Sequence, residues 1–203
     1  MVQLTRIYTK GGDRGKTSLG DGTRVLKDNL RVEAIGDVDE TNSTLGLIYT
    51  YMENKQIQEE IRSLQQDLFD LGADLCCPLP PEASESRLQI QEGRVKDLEK
   101  MIDFYNKDLE PLTSFILPGG TVVSSYLHLG RTVCRRAERK CVSLSQKEYV
   151  NPFVLEYLNR LSDFLFVLSR FLNDAGKKDI LWVPGKNRKK MKESLDENER
   201  DFS

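Results

Sequence analysis

The segment YTKGGDRGKTSLGDG, Tyr8 to Gly22, sets five glycines among Thr9, Lys10, Arg14, Lys16, Thr17 and Ser18. Glycine has no Cβ to hold a ligand away, so neighbouring backbone N–H groups can converge on an anion while hydroxyls and ammonium groups complete a polyphosphate cradle. Gly11 precedes Gly15 by four positions, one short of the GxxxxGK[ST] spacing, and no buried strand is expected before it, which argues against a Walker A loop. The same composition also suits a plain surface loop. A second cluster, GRTVCRRAERK from Gly130 to Lys140, carries four arginines on an expected helix. At 100° per residue Arg131, Arg135 and Glu138 share one face, with Arg136 and Arg139 to its sides. Guanidiniums crowded in this way repel unless carboxylates or phosphates neutralise them. The cluster is therefore either an anion site or a solvated face with i, i+3 pairs such as Arg135 to Glu138, each pair contributing a few tenths of a kcal/mol.

Two further rows read less sharply. Asn159, Asp163, Phe166 and Arg170 fall near one line of a helix beside a leucine seam, either a wet outer edge or an internal hydrogen-bond network. Asp37, Asp39, Glu40 and Asn42 lie at the expected start of the first helix, where acidic groups also suit the helix dipole. Cys76, Cys77, Cys134 and Cys141 contain no CxxC, and His128 is the one histidine, which argues against a zinc cluster or a disulfide scaffold and for reduced, buried thiols.

The elements that must position these residues are helical. Apolar residues make up 38% and glycine brings the share to about 45%, which with 31% charged residues fits one globular domain and excludes membrane and disordered classes. With 30 Lys and Arg against 32 Asp and Glu, no overall field advertises nucleic acid or a membrane surface. No secretory h-region and no apolar span of 18 residues is visible, so the expected location is cytoplasmic. Val32, Ile35, Val38, Leu45 and Ile48 predict a first helix from about Val32 to Met52, and Ile57 to Leu75 a second that stops before Pro78. After a Pro-rich connector, CCPLPPEASES, a third helix is predicted over Leu88 to Lys107, a fourth from about Thr121 to Leu144 and a fifth from Pro152 to Asn173. The fold class is all-α, an up-down bundle of five helices. Residues 1–30 are expected to form its glycine-rich nucleotide segment, 31–184 the bundle and 185–203 a charged, mobile tail.

Taken in order, IYTKGGDRGKTSLGDG, RVLKDNLRVEAIGDVDETNSTLG, FILPGGT with GRTVCRRAERKCVSL, and YLNRLSDFLFVLSR resemble the PduO-type ATP:cob(I)alamin adenosyltransferases over roughly Ile7 to Trp182. The resemblance implies a ferritin-like bundle with an ordered glycine loop, assembled as a homotrimer with ATP between neighbouring subunits and the corrinoid beside it. It implies transfer of the 5'-deoxyadenosyl group of ATP to cob(I)alamin with release of triphosphate. Co(I) would be the nucleophile, so a chain poor in histidine is no obstacle. Thr9, Lys10, Gly11, Gly12, Asp13, Gly15, Thr17 and Ser18 would wrap the phosphates and a Mg²⁺ bound mainly through them, with Lys27 reaching in. Arg131, Arg135, Arg136, Glu138 and Asn159 would complete the ATP site, Arg131 pairing with Asp39 across the interface. Phe115 matches the phenylalanine that covers the lower corrin face and excludes the axial ligand, easing reduction of Co(II). A reductase and an adenosylcobalamin-dependent acceptor enzyme are the implied partners. A non-catalytic helical interaction protein and an ATP-dependent phosphotransferase are the competing readings.

Overall fold

A computed structural model describes residues 7–78 and 88–188. Most of the expected Pro-rich connector, and the expected tail from 189 onward, lie outside the described residues. A short antiparallel hairpin, β1 (Lys16–Ser18) and β2 (Arg24–Leu26), precedes five helices: α1 (Leu30–Tyr51), α2 (Lys55–Cys76), α3 (Glu92–Asn106), α4 (Val122–Ser145) and α5 (Pro152–Phe171).

Side-chain contacts fix the directions. Glu33 meets Lys140 and Asp37 meets Arg136, so α1 and α4 are antiparallel. Arg94 meets Asp67 and Tyr105 meets Glu60, so α2 and α3 are antiparallel as well. The helices alternate up and down as expected, yet α4 packs on α1 and α5 while α3 packs on α5. The link from α3 to α4 must therefore cross the end of the bundle where α5 terminates. That crossing carries Phe115.

The core is the set of stripes the periodicity predicts. Ile57, Ile61, Leu64, Leu68, Leu71 and Leu75 of α2 and Leu158, Leu161, Leu165 and Leu168 of α5 belong to one buried cluster. Each such side chain contributes about 1.5–3 kcal/mol by leaving water. The helix ends obey local chemistry. Asn29, Asn54, Thr121 and Asn151 each accept a hydrogen bond from a first-turn N–H as N-caps, and Pro152 needs no donor at the first position.

Three expectations are corrected. α1 is capped by Asn29, so Asp37 and Asp39 lie about two turns inside it, too far from the terminus for the helix-dipole reading. α3 begins at Glu92 because residues 88–91 stay extended, with the Ile90 N–H donating to Asp74 at 3.3 Å and its carbonyl accepting from Asn151 at 2.9 Å. Cys134 and Cys141 are buried free thiols, but Cys76 and Cys77 are only half-buried. Burial pushes the Cys141 thiol up to about 12, and Cys134 higher still, which leaves both unreactive.

Candidate functional site

The glycine segment is folded into a defined hairpin. Thr17 pairs with Val25, and the Lys27 N–H donates to the Gly15 carbonyl at 2.9 Å. Arg24 closes the loop from below, donating to the Gly11 carbonyl at 2.7 Å and to Ser18 Oγ at 3.2 Å. Gly15 sits at φ 74°, where a side chain would be strained. Gly12 leaves room for Lys27, whose Nζ lies 3.2 Å from the place a Cβ would occupy. Thr9, Lys10, Gly11, Asp13 and Ser18 are exposed along the same strip. Among the described residues the hairpin is fastened to α2 through Gly20, whose N–H donates to the carbonyl of Cys76 at the end of that helix, at 2.8 Å.

Beside that junction, α1 and α2 bound an apolar groove of about 520 Å³, lined by Val32, Ile35, Leu68, Phe69 and Cys76 with Asp39 on its rim. Asp39 is exposed.

The arginine cluster of α4 divides in two. Arg136 is held within the chain by Asp37, at 3.3 Å, and by Glu40. Lys140 is held by Glu33 at 2.6 Å. Arg131 differs: among the described residues it has no ion-pair partner, and its Nε is buried without a hydrogen bond. Burial, and then the neighbouring Arg135, lower its pKa from the ordinary guanidinium value, as expected of a cation taken out of water with no counter-charge beside it. Arg135 is exposed. The expected Arg135 to Glu138 pair does not form; Glu138 instead accepts from Asn159 Nδ2 at 3.0 Å, so two predicted site residues on α4 and α5 do meet.

Arg131 opens into a cleft of about 670 Å³ whose other walls are Leu112, Ser114, Phe115, Phe166 and Trp182. The structure thus brings Phe115 and Arg131 together, although sixteen residues separate them. Phe115 is 79% exposed and lies 6.2 Å from Trp182 between ring centroids, so it is a cleft wall and not core. Its loop is clamped by the segment after α5: the Trp182 N–H donates to the Phe115 carbonyl at 2.7 Å and the Leu117 N–H to the Ile180 carbonyl at 2.8 Å. Trp182 was not anticipated as a site residue. Its signal was present, since it is the chain's one tryptophan in the short apolar run ILWV, but nothing local shows that this run returns to Phe115.

The hairpin and this cleft sit at opposite ends of the chain's bundle. The hairpin adjoins the start of α1, where Glu33 meets Lys140, and Arg131 lies nine residues further along α4, about 13 Å by helix rise. Phe115 is beyond that, past the N-terminus of α4.

A family model described as cobalamin adenosyltransferase matches residues 7–172. The corrinoid adenosyltransferase of Mycobacterium bovis is 44% identical over 190 residues, covering 92% of this chain and 97% of that one. The cobalamin adenosyltransferase of Cupriavidus metallidurans is 45% identical over 185 residues, covering 89% and 95%. Among solved structures, a variant of the PduO-type ATP:corrinoid adenosyltransferase from Lactobacillus reuteri, complexed with cobalamin and ATP, superposes with a TM-score of 0.83 at 38% identity over 88% of this chain and 97% of that one. Hairpin, arginine helix and phenylalanine loop all fall inside the matched residues, and the chain belongs to the cobalamin adenosyltransferase family.

Proposed function

We infer that the chain transfers the 5'-deoxyadenosyl group of ATP to cob(I)alamin, forming adenosylcobalamin and releasing triphosphate. The observation that carries this reading is the cleft that places an exposed phenylalanine beside a half-buried arginine lacking any carboxylate partner among the described residues. An apolar ring offers cobalt no lone pair, and an unneutralised guanidinium invites phosphate.

The cobalt(I) lone pair attacks C5' of ATP. The cobalt–carbon bond forms, the C5'–O bond breaks, and the electron pair leaves on triphosphate. No protein nucleophile is required, and the chain's task is orientation and charge stabilisation. Arg131 and Arg135 face the leaving group. The hairpin amides at Gly11, Gly12 and Gly15, with Thr9, Lys10, Asp13, Thr17, Ser18 and Lys27, hold the polyphosphate. Glu138 and Asn159, already hydrogen-bonded to each other, take the nucleoside side. Arg136 joins only by exchanging Asp37 and Glu40 for phosphate. A Mg²⁺ would ride on the phosphates: among the described residues no group of three or more His, Cys, Asp or Glu could hold a metal, whereas a triphosphate supplies oxygen ligands itself. Bound there, the ion would neutralise part of the leaving charge.

In one chain the two halves of this site lie toward opposite ends of the bundle, an arrangement that suits a site completed by a second copy. The hairpin and the Asp39 groove form one face, and Arg131 with Phe115 forms another. Pairing the first face of one copy with the second face of the next is a head-to-tail contact, which forms a ring when the rotation between copies closes. We propose a homotrimer in which Asp39 of one copy neutralises Arg131 of its neighbour, with residues 1–30 as the nucleotide segment of a single bundle domain. Free thiols and a Co(I) nucleophile both suit a reducing compartment, so the cytoplasm is the proposed location, with a reductase upstream and an adenosylcobalamin-dependent enzyme downstream.

Anaerobic incubation with ATP, Mg²⁺ and prereduced cobalamin tests the reaction. Triphosphate together with the absorbance of a cobalt–carbon bond is the expected result. ADP would make the protein a phosphotransferase, and no product would make it a binding module; either outcome overturns the reading.

A further inference from the structure

The loop that carries Phe115 is held at five residues, Glu110, Ser114, Phe115, Leu117 and Gly120, and each of these leads back to one buried carboxylate. Asp179 Oδ2 accepts from Arg170 Nε at 2.9 Å, with both side chains more than nine-tenths buried. Asp179 Oδ1 accepts from Asn173 Nδ2 at 2.8 Å. Arg170 Nη2 in turn donates to the Glu110 carbonyl at 2.9 Å, fixing the start of the loop. The Asn173 amide lies directly against Gly120, where a Cβ would come within 2.7 Å of its Cγ, fixing the end. The middle is held by the strand that leaves Asp179, through the bonds to Phe115 and Leu117 and through the Ser114 Oγ donating to the Trp182 carbonyl at 2.8 Å. Gly176 makes the turn possible. It sits at φ 81° against Arg170 and Asp179, where any side chain would be both strained and crowded.

A buried ion pair is weak evidence for stability, because desolvating two charges offsets most of their attraction. What this one does is geometric. It converts the end of α5 into a fixed post from which the crossing is held, so that the exposed Phe115 ring lines the same cleft as Arg131 and Phe166. We propose that Asp179 is a positioning residue for Phe115, acting through Arg170, Asn173 and the 180–182 strand, and that it sets how completely the phenylalanine displaces the lower axial ligand of the corrinoid. The proposal rests on the adenosyltransferase reading above. Asp179 touches neither substrate and contributes to the route from Co(II), in which a one-electron reductant such as reduced flavin converts bound cob(II)alamin to cob(I)alamin before the attack on C5'. It contributes little once Co(I) is supplied.

The test compares Asp179→Asn with the unsubstituted protein in two assays, one fed cob(II)alamin with reduced flavin and one fed chemically prereduced cob(I)alamin, alongside the spectrum of cob(II)alamin bound with ATP. A ring displaced by an ångström can lose a positioned step roughly ten- to a hundredfold, and that loss in kcat is expected in the Co(II) assay alone. The KM for ATP should be unchanged, and the spectral signature of four-coordinate Co(II) should diminish in proportion. Where Asp179→Asn does not fold, Leu117→Pro decides. It removes the N–H donated to the Ile180 carbonyl, at an exposed residue outside the lining of the cleft, and should give the same split. Equal losses in both assays, or an undiminished four-coordinate signature, would overturn the positioning role. An unsubstituted protein that makes no adenosylcobalamin from prereduced cobalamin would instead overturn the functional reading itself.

Discussion

At the scale of residues, Arg131 is the side chain whose surroundings are least self-sufficient. Its Nε is buried without a partner and Arg135 crowds it, so its removal costs the fold nothing that the described residues supply. Arg131→Ala should therefore lower kcat by about 10²- to 10³-fold, the cost of deleting one donor aimed at developing charge, with Tm unchanged within about 2 °C. Steady-state kinetics with calorimetry checks both halves. His128 makes a different prediction. It is buried, with Nε2 3.3 Å from Ser169 Oγ, and Ser169 spends its own proton on the Phe166 carbonyl. Burial first and Arg131 second lower the His128 pKa, opposed only by Asp179, so the folded state prefers the neutral ring. The unfolded chain then binds the proton more readily. Stability is complete above about pH 6.5 and declines as pH falls below it. A plot of Tm against pH should slope less steeply below 6.5 in His128→Gln than in the unsubstituted protein. The sequence marks Arg131 and Phe115 as residues, but not the separation of Arg131 from Arg136. That depends on which carboxylates α1 presents, and α1 starts at Asn29 and not near Asp37.

Elements position these groups through few attachments, and the hairpin has the most exposed one. Gly20 approaches the Cys76 carbonyl so closely that an added Cβ would lie 3.2 Å from that oxygen. Gly20→Val should push the hairpin off α2 while leaving the helical core intact. The expected result is a KM for ATP raised about tenfold with Tm nearly constant, since surface changes of this kind stay within about 0.5 kcal/mol. A fall in Tm with unaltered KM would show that the contact serves the bundle instead. The helices themselves were legible, because stripes such as Ile57 to Leu75 repeat at helical spacing and four of the five N-caps are Asn or Thr, although α3 starts at Gln91 without a side-chain cap. The strand at 180–182 was not. Its pairing with the Phe115 loop is a non-local hydrogen-bond pattern, and four apolar residues before a proline fit many local structures equally well.

For the whole molecule, the decisive feature is that the hairpin and the cleft of Phe115 and Arg131 lie toward opposite ends of one chain's bundle. The up-down order predicted from five amphipathic stretches already implies this. α1 and α2 meet the hairpin at one end, and the crossing from α3 to α4 occurs at the other. What periodicity could not show is that the crossing is clamped, and so presents Phe115 and Arg131 as one wall of a cleft. A site divided between copies makes a demand that no single-chain site can meet. Two inactive variants, one with Lys10→Ala and Thr17→Ala in the hairpin and one with Arg131→Ala in α4, are unfolded together, refolded as a mixture and assayed for adenosylcobalamin. In randomly mixed head-to-tail rings one junction in four joins an intact hairpin to an intact α4, so about a quarter of the unsubstituted activity should return. A mixture as inactive as its two components would contradict the shared site.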